Sequence, residues 1–260
     1  MSQKLFSEFA AGAISLKNRI VMAPLTRNRA DDQTGEVLDR HVEYYSQRAG
    51  AGLIITEGSQ ISPEAKGYIQ TPGIHTPEQA AAWRKVTDAV HAKGGKIVIQ
   101  LWHVGRITHD SLLPEGVVAV GPTDQPAQAQ TYTHAGFEAT ATPKALSVDE
   151  IKRVVGDFVQ AAKYAKDAGF DGVELHAANG YLLEQFLKDG VNTRSDAYGG
   201  SAENRARLLF EVLDGVRGVW DADRIGVRLS PFATFNDVSD SNPVAHYTPI
   251  LERLNGYGLA

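Results

Sequence analysis

The 260-residue sequence contains no cysteine, which excludes disulfide bonds, thiolate metal ligands and a cysteine nucleophile. It also lacks any run of 18 apolar residues, and residues 1–16 have neither a basic start nor a sustained apolar stretch. The sequence therefore predicts no membrane-spanning helix and no export signal, and we expect a cytoplasmic protein. We predict no metal site.

Basic charge is not in excess either. The chain has 26 Lys and Arg against 31 Asp and Glu, a formal net charge of -5 at pH 7, which argues against nucleic acid or an anionic membrane as the main partner. The patterns G-x-G-x-x-G, G-x-S-x-G and H-E-x-x-H are all absent. Their absence disfavours a Rossmann dinucleotide site and the two corresponding hydrolase classes.

What the sequence does contain is a regular alternation of short apolar runs and helix-like segments. The apolar runs predict strands over residues 19–24, 53–56, 96–102, 172–175 and 224–229. The segments between them predict helices over 37–49, 76–93, 148–168, 201–219 and 244–254. Strand–helix units in strict alternation predict a parallel sheet in an α/β fold.

Two architectures are possible for that sheet, a doubly wound open sheet and a closed barrel. A doubly wound sheet normally carries a glycine-rich phosphate turn after its first strand, and this chain has none, so we favour a TIM (β/α)8 barrel. Eight units need about 250 residues, whereas this chain uses its length on five units and an aperiodic insert. We therefore expect residues 1–260 to form the N-terminal part of one barrel, with residues 256–260 leading into a sixth strand.

The insert after the third strand covers residues 104–146. It shows no helical periodicity and contains Pro114, Pro122, Pro126 and Pro143. A stretch this long without a helix is unusual in a compact domain, and we predict that it caps the mouth of the barrel.

A polar cluster follows the strand at residues 172–175. His176, Asn179 and Tyr181 come within six residues, at the carboxyl end of a strand, where parallel α/β folds place their chemistry. A lone buried histidine is more often a hydrogen-bonded core residue. An amide and a phenol beside it at a strand end favour the functional interpretation.

Six segments in this order resemble the Old Yellow Enzyme family of FMN-dependent ene-reductases, in particular the bacterial N-ethylmaleimide and pentaerythritol tetranitrate reductase branch. They are Ala23–Arg27 (APLTR), Ile55–Gly58 (ITEG), Gln100–Arg106 (QLWHVGR), His176–Tyr181 (HAANGY), Arg194–Arg205 (RSDAYGGSAENR) and Val227–Pro231 (VRLSP). Each segment alone is a weak signal, but six in order at strand ends make a strong one.

The resemblance implies hydride transfer from reduced FMN to an activated alkene, an α,β-unsaturated carbonyl or nitro compound, with NADPH as transient electron donor. His176 and Asn179 would then donate hydrogen bonds to the substrate oxygen, and Tyr181 would protonate the α-carbon. Tyr68 and Trp102 would line the substrate pocket, although large aromatic residues near a strand end are more often core. The polar segment from Arg194 to Arg205 would be structural.

The resemblance also implies a set of flavin contacts. Thr26 would hydrogen-bond the flavin carbonyl near N5, where the residues alone would suggest a turn or cap. Gln100 and Arg228 would contact the pyrimidine edge; a buried polar residue is a fair alternative for Gln100, and a surface ion pair is a weak one for Arg228. The backbone of Pro24, Leu25 and Gly58 would contact the ring.

The expected partners are a small activated alkene and a second polypeptide that supplies strands six to eight. An alternative is a non-catalytic split-barrel fragment that retains no flavin. A third interpretation, a dienoyl-CoA reductase-like FMN barrel, is disfavoured because such proteins usually carry cysteine ligands for an iron–sulfur cluster.

Overall fold

The computed structural model describes residues 2–260, in which short strands alternate with helices. In chain order the elements are α1 (Ser2–Leu5), β1 (Phe9–Ala11), β2 (Ile14–Leu16), β3 (Val21–Met22), α2 (Asp39–Ser46), β4 (Leu53–Gln60), α3 (Pro77–His91), β5 (Ile97–Trp102), β6 (Val120–Gly121), β7 (Gln130–Thr133), β8 (Gly136–Ala139), β9 (Lys144–Ala145), α4 (Val148–Asp167), β10 (Gly172–Ala177), α5 (Leu182–Leu187), α6 (Ala202–Arg217), β11 (Ile225–Leu229) and α7 (Pro243–Asn255). Every strand and helix of the predicted alternation is present. No helix in the described part of the chain combines the length and hydropathy needed to cross a membrane.

The main sheet is parallel, and its strand order is β3-β4-β5-β10-β11. This order follows the chain without reversal, whereas a doubly wound sheet reverses at a switch point. Right-handed crossovers added in one direction place the connecting helices on one face. Accordingly α2, α3, α4, α6 and α7 pack each against the next. The arrangement is that of a partial barrel, as predicted.

The helices begin where the sequence predicts and bury one stripe each. Ser147 and Glu150 form a capping box at the start of α4, and Thr76 caps α3, with Pro77 at its first position. Their buried residues, such as Trp83 in α3 and Phe158 in α4, form one core with the outward-facing strand residues. This layer fixes the strands whose carboxyl ends build the site.

The amino-terminal side of the sheet is covered by a hairpin that the sequence analysis missed. Strands β1 and β2 are antiparallel, and Ile14 and Leu16 pack on Val98 in a separate small cluster. Gly12 turns the hairpin with φ +53, and a Cβ there would lie on the carbonyl of Asp223. The hairpin closes the end opposite the predicted site.

Several predicted boundaries are wrong. The strand predicted over 19–24 is only Val21–Met22, because Pro24 cannot donate to a ladder. The strand predicted over 53–56 continues to Gln60 through a bulge between Ile55 and Gly58. Helix α5 was missed because all its residues are buried, so it shows no amphipathic period. Residues 256–258, in contrast, form a turn after α7 as predicted, and the Ala260 N–H donates to the Ile225 carbonyl at 3.1 Å.

The insert contains no α-helix, as predicted, but it has strands that were not predicted. Strands β7 and β8 form an antiparallel hairpin, and β6 pairs with β9. Ala127, on the insert, packs in one apolar cluster with Trp102 and Tyr181. The insert therefore contacts the strand ends at which the site was predicted.

Candidate active site

A polar cavity of about 100 Å³ lies at the carboxyl ends of the parallel strands. Its lining comes from five different parts of the chain and consists of Pro24, Thr26, Gly58, Gln100, Trp102, His176, Asn179, Tyr181 and Arg228. The predicted site residues are thus brought together with two exceptions. Leu25 is 51% exposed and does not line the cavity, and Tyr68 lies just behind the lining.

The register of the parallel sheet explains this convergence. Gly58 pairs with Gln100 across β4 and β5, and His176 pairs with Arg228 across β10 and β11. Neighbouring positions in parallel strands point to the same face, so residues far apart in sequence present their side chains to one mouth.

His176 lies at the back of the cavity and is 5% exposed. Burial, with a smaller effect from the nearby Arg228 charge, lowers its pKa to about 3. The imidazole is therefore neutral at pH 7 and offers one N–H donor and one acceptor. Its Nδ1 has no hydrogen-bond partner among residues 2–260. A buried imidazole with a free nitrogen is suited to bind a ligand atom.

The two phenols form a pair beside this histidine. The hydroxyls of Tyr68 and Tyr181 lie 3.0 Å apart, and either can be the donor. Burial and the neighbouring Tyr68 raise the pKa of Tyr181 well above its ordinary value. Tyr181 therefore stays protonated across the physiological range. Its ring packs edge-on against Trp102 and His176, with centroids 4.9 and 5.0 Å apart.

The Trp102 ring lies between Tyr68 and His176. Its ring stacks on Tyr68 at 5.7 Å and on His176 at 6.2 Å, and its Nε1 is buried without a partner in the described chain. The backbone at Gly58 lies against the indole, and a Cβ at that position would come within 2.6 Å of the ring. The sequence ITEG thus needs glycine at its last position.

Carboxylates that sequence reasoning did not assign support the lining residues from behind. Gln100 donates its amide to Glu174 Oε1 at 2.6 Å. Glu57 is 1% exposed, accepts the Arg27 N–H at 3.0 Å and accepts the Tyr45 hydroxyl at 3.1 Å. This contact fixes the backbone directly after Thr26. An acidic residue within an apolar strand, as in both cases, is the signal that could have found them.

The polar segment from Arg194 to Arg205 is a hydrogen-bonded loop, as predicted. Arg194 pairs with Asp196 and donates to the carbonyls of Pro122 and Leu146, and Arg205 donates to the Leu187 carbonyl. None of these residues lines the cavity. The loop ties the insert and α5 to the start of α6.

Comparison with known proteins identifies the family. Residues 4–255 match the NADH:flavin oxidoreductase / NADH oxidase family. The chain belongs to this family. It is 47% identical over 249 residues to the flavin oxidoreductase hxnT of Emericella nidulans, covering 94% of this chain and 64% of that relative. The chain spans about two thirds of the length of the curated relatives it matches.

Solved structures of the family have the same fold. Morphinone reductase in complex with tetrahydroNAD superposes with a TM-score of 0.93 at 46% identity, covering 98% of this chain and 71% of that one. The old yellow enzyme homologue from Zymomonas mobilis gives a TM-score of 0.95 at 42% identity, covering 99% and 72%. The Old Yellow Enzyme resemblance drawn from the six segments is confirmed.

Proposed function

We propose that the chain belongs to an FMN-dependent ene-reductase that uses NADPH to reduce activated C=C bonds of α,β-unsaturated carbonyl or nitro compounds. The observation that carries the proposal is the convergence of His176, Asn179 and Tyr181 on one cavity with Gln100 and Arg228. An amide, a guanidinium and a hydroxyl line this cavity together with an imidazole, a second amide and a phenol.

The residues present fit a flavin. Arg228 and Gln100 supply the cation and amide that match the oxygen- and nitrogen-bearing edge of such a ring, and Thr26 supplies a hydroxyl. Gly58 lets the Trp102 indole, which also lines the cavity, lie close to the strand, because a Cβ there would come within 2.6 Å of that ring. When bound, FMN would supply the hydride for the reaction.

His176 and Asn179 would hold the substrate oxygen. When hydride reaches the β-carbon of the alkene, the electron pair of the C=C bond moves toward the carbonyl or nitro group, and negative charge builds on its oxygen. Two fixed donors at that oxygen stabilise the charge as it develops. The neutral imidazole of His176 donates without adding a full charge to the buried site.

Tyr181 would complete the reaction by transferring its hydroxyl proton to the α-carbon. The resulting phenolate takes a proton back from solvent, with Tyr68 as its hydrogen-bond partner at 3.0 Å. One alkene, one NADPH and one proton thus give one saturated product and one NADP⁺. The high pKa of Tyr181 suits a group that must remain protonated until the α-carbon is basic enough to take the proton.

The choice of NADPH over NADH is part of the proposal. The absence of a G-x-G-x-x-G turn is consistent with a nicotinamide donor that occupies the substrate cavity transiently, before the alkene enters. Tyr68 and Trp102 would line the space shared by the two. Rates with NADPH and NADH at equal concentration test this part separately.

A second polypeptide is proposed to complete the barrel with strands six to eight. Strands β3 and β11 are the two edges of the open sheet, and Val21 in β3 and Leu25 just after it are about half exposed. An open parallel sheet with apolar edge residues is prone to pair with further strands. The cavity is also smaller than the 300–1,000 Å³ or so of typical ligand sites.

Native mass spectrometry tests this partner. A co-purifying polypeptide of roughly one hundred residues, the length of three βα units, is expected. A folded monomer of 28.1 kDa that retains FMN would contradict it.

We also propose that residues 104–146 cap the cavity and that the protein is cytoplasmic.

The activity is tested with the purified protein and its completing polypeptide. We expect a visible flavin spectrum, anaerobic NADPH consumption that depends on a nitroalkene or an α,β-unsaturated ketone, and a saturated product. A protein without flavin absorption would favour the alternative, a non-catalytic barrel fragment. A flavin-bound protein that leaves both alkenes unreduced would refute the proposal.

A further inference from the structure

The turn that presents Asn179 is held by a buried carboxylate outside the cavity. Asn179 and Gly180 both have left-handed backbones, with φ +57 and +78. The Gly180 N–H donates to Glu184 Oε2 at 2.6 Å, and the Asn179 N–H donates to the Ser230 hydroxyl at 2.8 Å. That hydroxyl donates in turn to Glu184 Oε1 at 2.6 Å. One carboxylate thus binds both N–H groups of the turn, one directly and one through Ser230.

The same helix also holds the loop that supplies Ser230. Lys188, the residue that caps α5 one turn beyond Glu184, donates its ammonium to the carbonyls of Ser230, Pro231 and Ala233, at 3.3, 3.2 and 2.5 Å. Its Nζ is 3.6 Å from Glu184 Oε1, and both side chains are buried. The Tyr247 hydroxyl of α7 adds a third donor to that oxygen at 3.3 Å.

Burial of the Lys188–Glu184 ion pair does not by itself stabilise the fold. A buried ion pair is often no better than apolar residues of similar volume, because both charges lose their hydration. Burial raises the pKa of Glu184, which reflects the same cost. An apolar side chain would fill the space on α5, but it would leave the Gly180 N–H and the hydroxyls of Ser230 and Tyr247 without their acceptor.

We propose that Glu184 is a positioning residue, which through Ser230 locks the left-handed turn at Asn179–Gly180 and so aims the side chains of Asn179 and Tyr181 into the cavity. The proposal deepens the ene-reductase function and rests on it. Glu184 touches neither the cavity nor a reacting atom, and it acts only through the turn. Lys188 holds the neighbouring loop so that Ser230 stays within reach.

Glutamine at position 184 is the sharpest perturbation. A carboxylate accepts from several donors at two oxygens, whereas an amide has a single acceptor oxygen and turns two hydrogens toward groups that are themselves donors. The network then loses the acceptor for either the Gly180 N–H or the Ser230 hydroxyl, and the turn is held less firmly. Misplacement of a reacting group by about 1 Å can cost about 100-fold in rate, so we expect kcat to fall by about 10- to 100-fold with KM and flavin content little changed.

Glu184→Gln and Ser230→Ala are compared with Glu211→Gln, which removes a carboxylate that accepts the Tyr198 hydroxyl away from the cavity. The readout independent of activity is amide hydrogen exchange of the peptide containing residues 179 and 180. We expect faster exchange there in both test variants and not in the control. Because the two residues share one network, their double variant should lose less than the product of the single losses.

Unchanged exchange at residues 179 and 180 in either test variant would overturn the proposal, as would faster exchange with kcat within twofold of wild type. Should Glu184→Gln fail to fold, Ser230→Ala alone decides, because it removes one hydroxyl and leaves the buried charges in place. A wild type that binds flavin but reduces no alkene would refute the ene-reductase function instead, and the exchange pattern would still decide whether Glu184 holds the turn.

Discussion

Replacement of Glu57 by glutamine should change how the stability of the protein depends on pH. Burial raises the pKa of this carboxyl from 4.5 to about 7, against the lowering effects of the Arg27 N–H and the Tyr45 hydroxyl. Between pH 4.5 and 7 the unfolded chain releases a proton that the folded protein keeps. The contribution of Glu57 is therefore fully present below pH 4.5 and is lost as the pH rises through 7. The difference between the pKa of Glu57 in the folded protein and in the unfolded chain corresponds to about 3 kcal/mol of stability.

The assay is urea unfolding of wild type and Glu57→Gln at a series of pH values from 4.5 to 8. The free energy of unfolding of wild type, relative to the variant, should fall by about 3 kcal/mol over this range. Other titrating groups are common to both proteins and cancel in the difference. His41 Nε2 lies 3.8 Å from Glu57 Oε1, and burial lowers the pKa of His41, so the imidazole is neutral at pH 7 and does not stabilise the carboxylate. A difference that stays constant with pH, or one that rises, would refute the reasoning.

Three further outcomes are expected. Tyr181→Phe should slow alkene reduction by about 10²- to 10⁴-fold, and leave reduction of the enzyme by NADPH unchanged, when the two half-reactions are followed separately by stopped flow. Gly58→Ala should lower the free energy of unfolding by about 1–3 kcal/mol and weaken flavin binding, because its Cβ would lie 2.6 Å from Trp102. Gly156→Ala, at a helix position with open space around it, should instead raise the free energy of unfolding by about 0.5–1 kcal/mol. Both changes are measured by urea unfolding. The pH profile of kcat/KM should show no inflection from His176 near its ordinary value of about 6.5, because its pKa is about 3.

Much of the fold could be predicted because strand and helix signals were local. The apolar run at 96–102 and the capping pattern of Ser147 and Glu150 each indicate a single element, and the structure has both. Helix α5 was missed because burial on all sides removes its period, and the β1–β2 hairpin was missed because its strands are only three residues long. Both elements are specified by what they pack against.

Three residues of the lining were predictable for a similar reason, whereas the others were implied only by the family resemblance. His176, Asn179 and Tyr181 are close in sequence, so their proximity needed only one strand end. The carboxylates behind the lining were not predictable, because their roles depend on partners far along the chain. Glu184 acts through Ser230, 46 residues away, and Glu57 acts on Arg27 from another strand. Contacts of that kind appear only when the register of the sheet is known.

The most direct test of the account is the position of deuterium in the product after alkene reduction in D₂O with unlabelled NADPH, read by NMR. The Tyr181 hydroxyl exchanges with solvent, so a proton delivered by this residue to the α-carbon appears as deuterium there, while the β-carbon receives unlabelled hydrogen from the nicotinamide donor. We expect deuterium at the α-carbon alone, with the label reaching the product far more slowly in Tyr181→Phe. Deuterium at the β-carbon, or labelling at an unchanged rate in that variant, would contradict the assignment of Tyr181 and of the cavity it shares with His176 and Asn179.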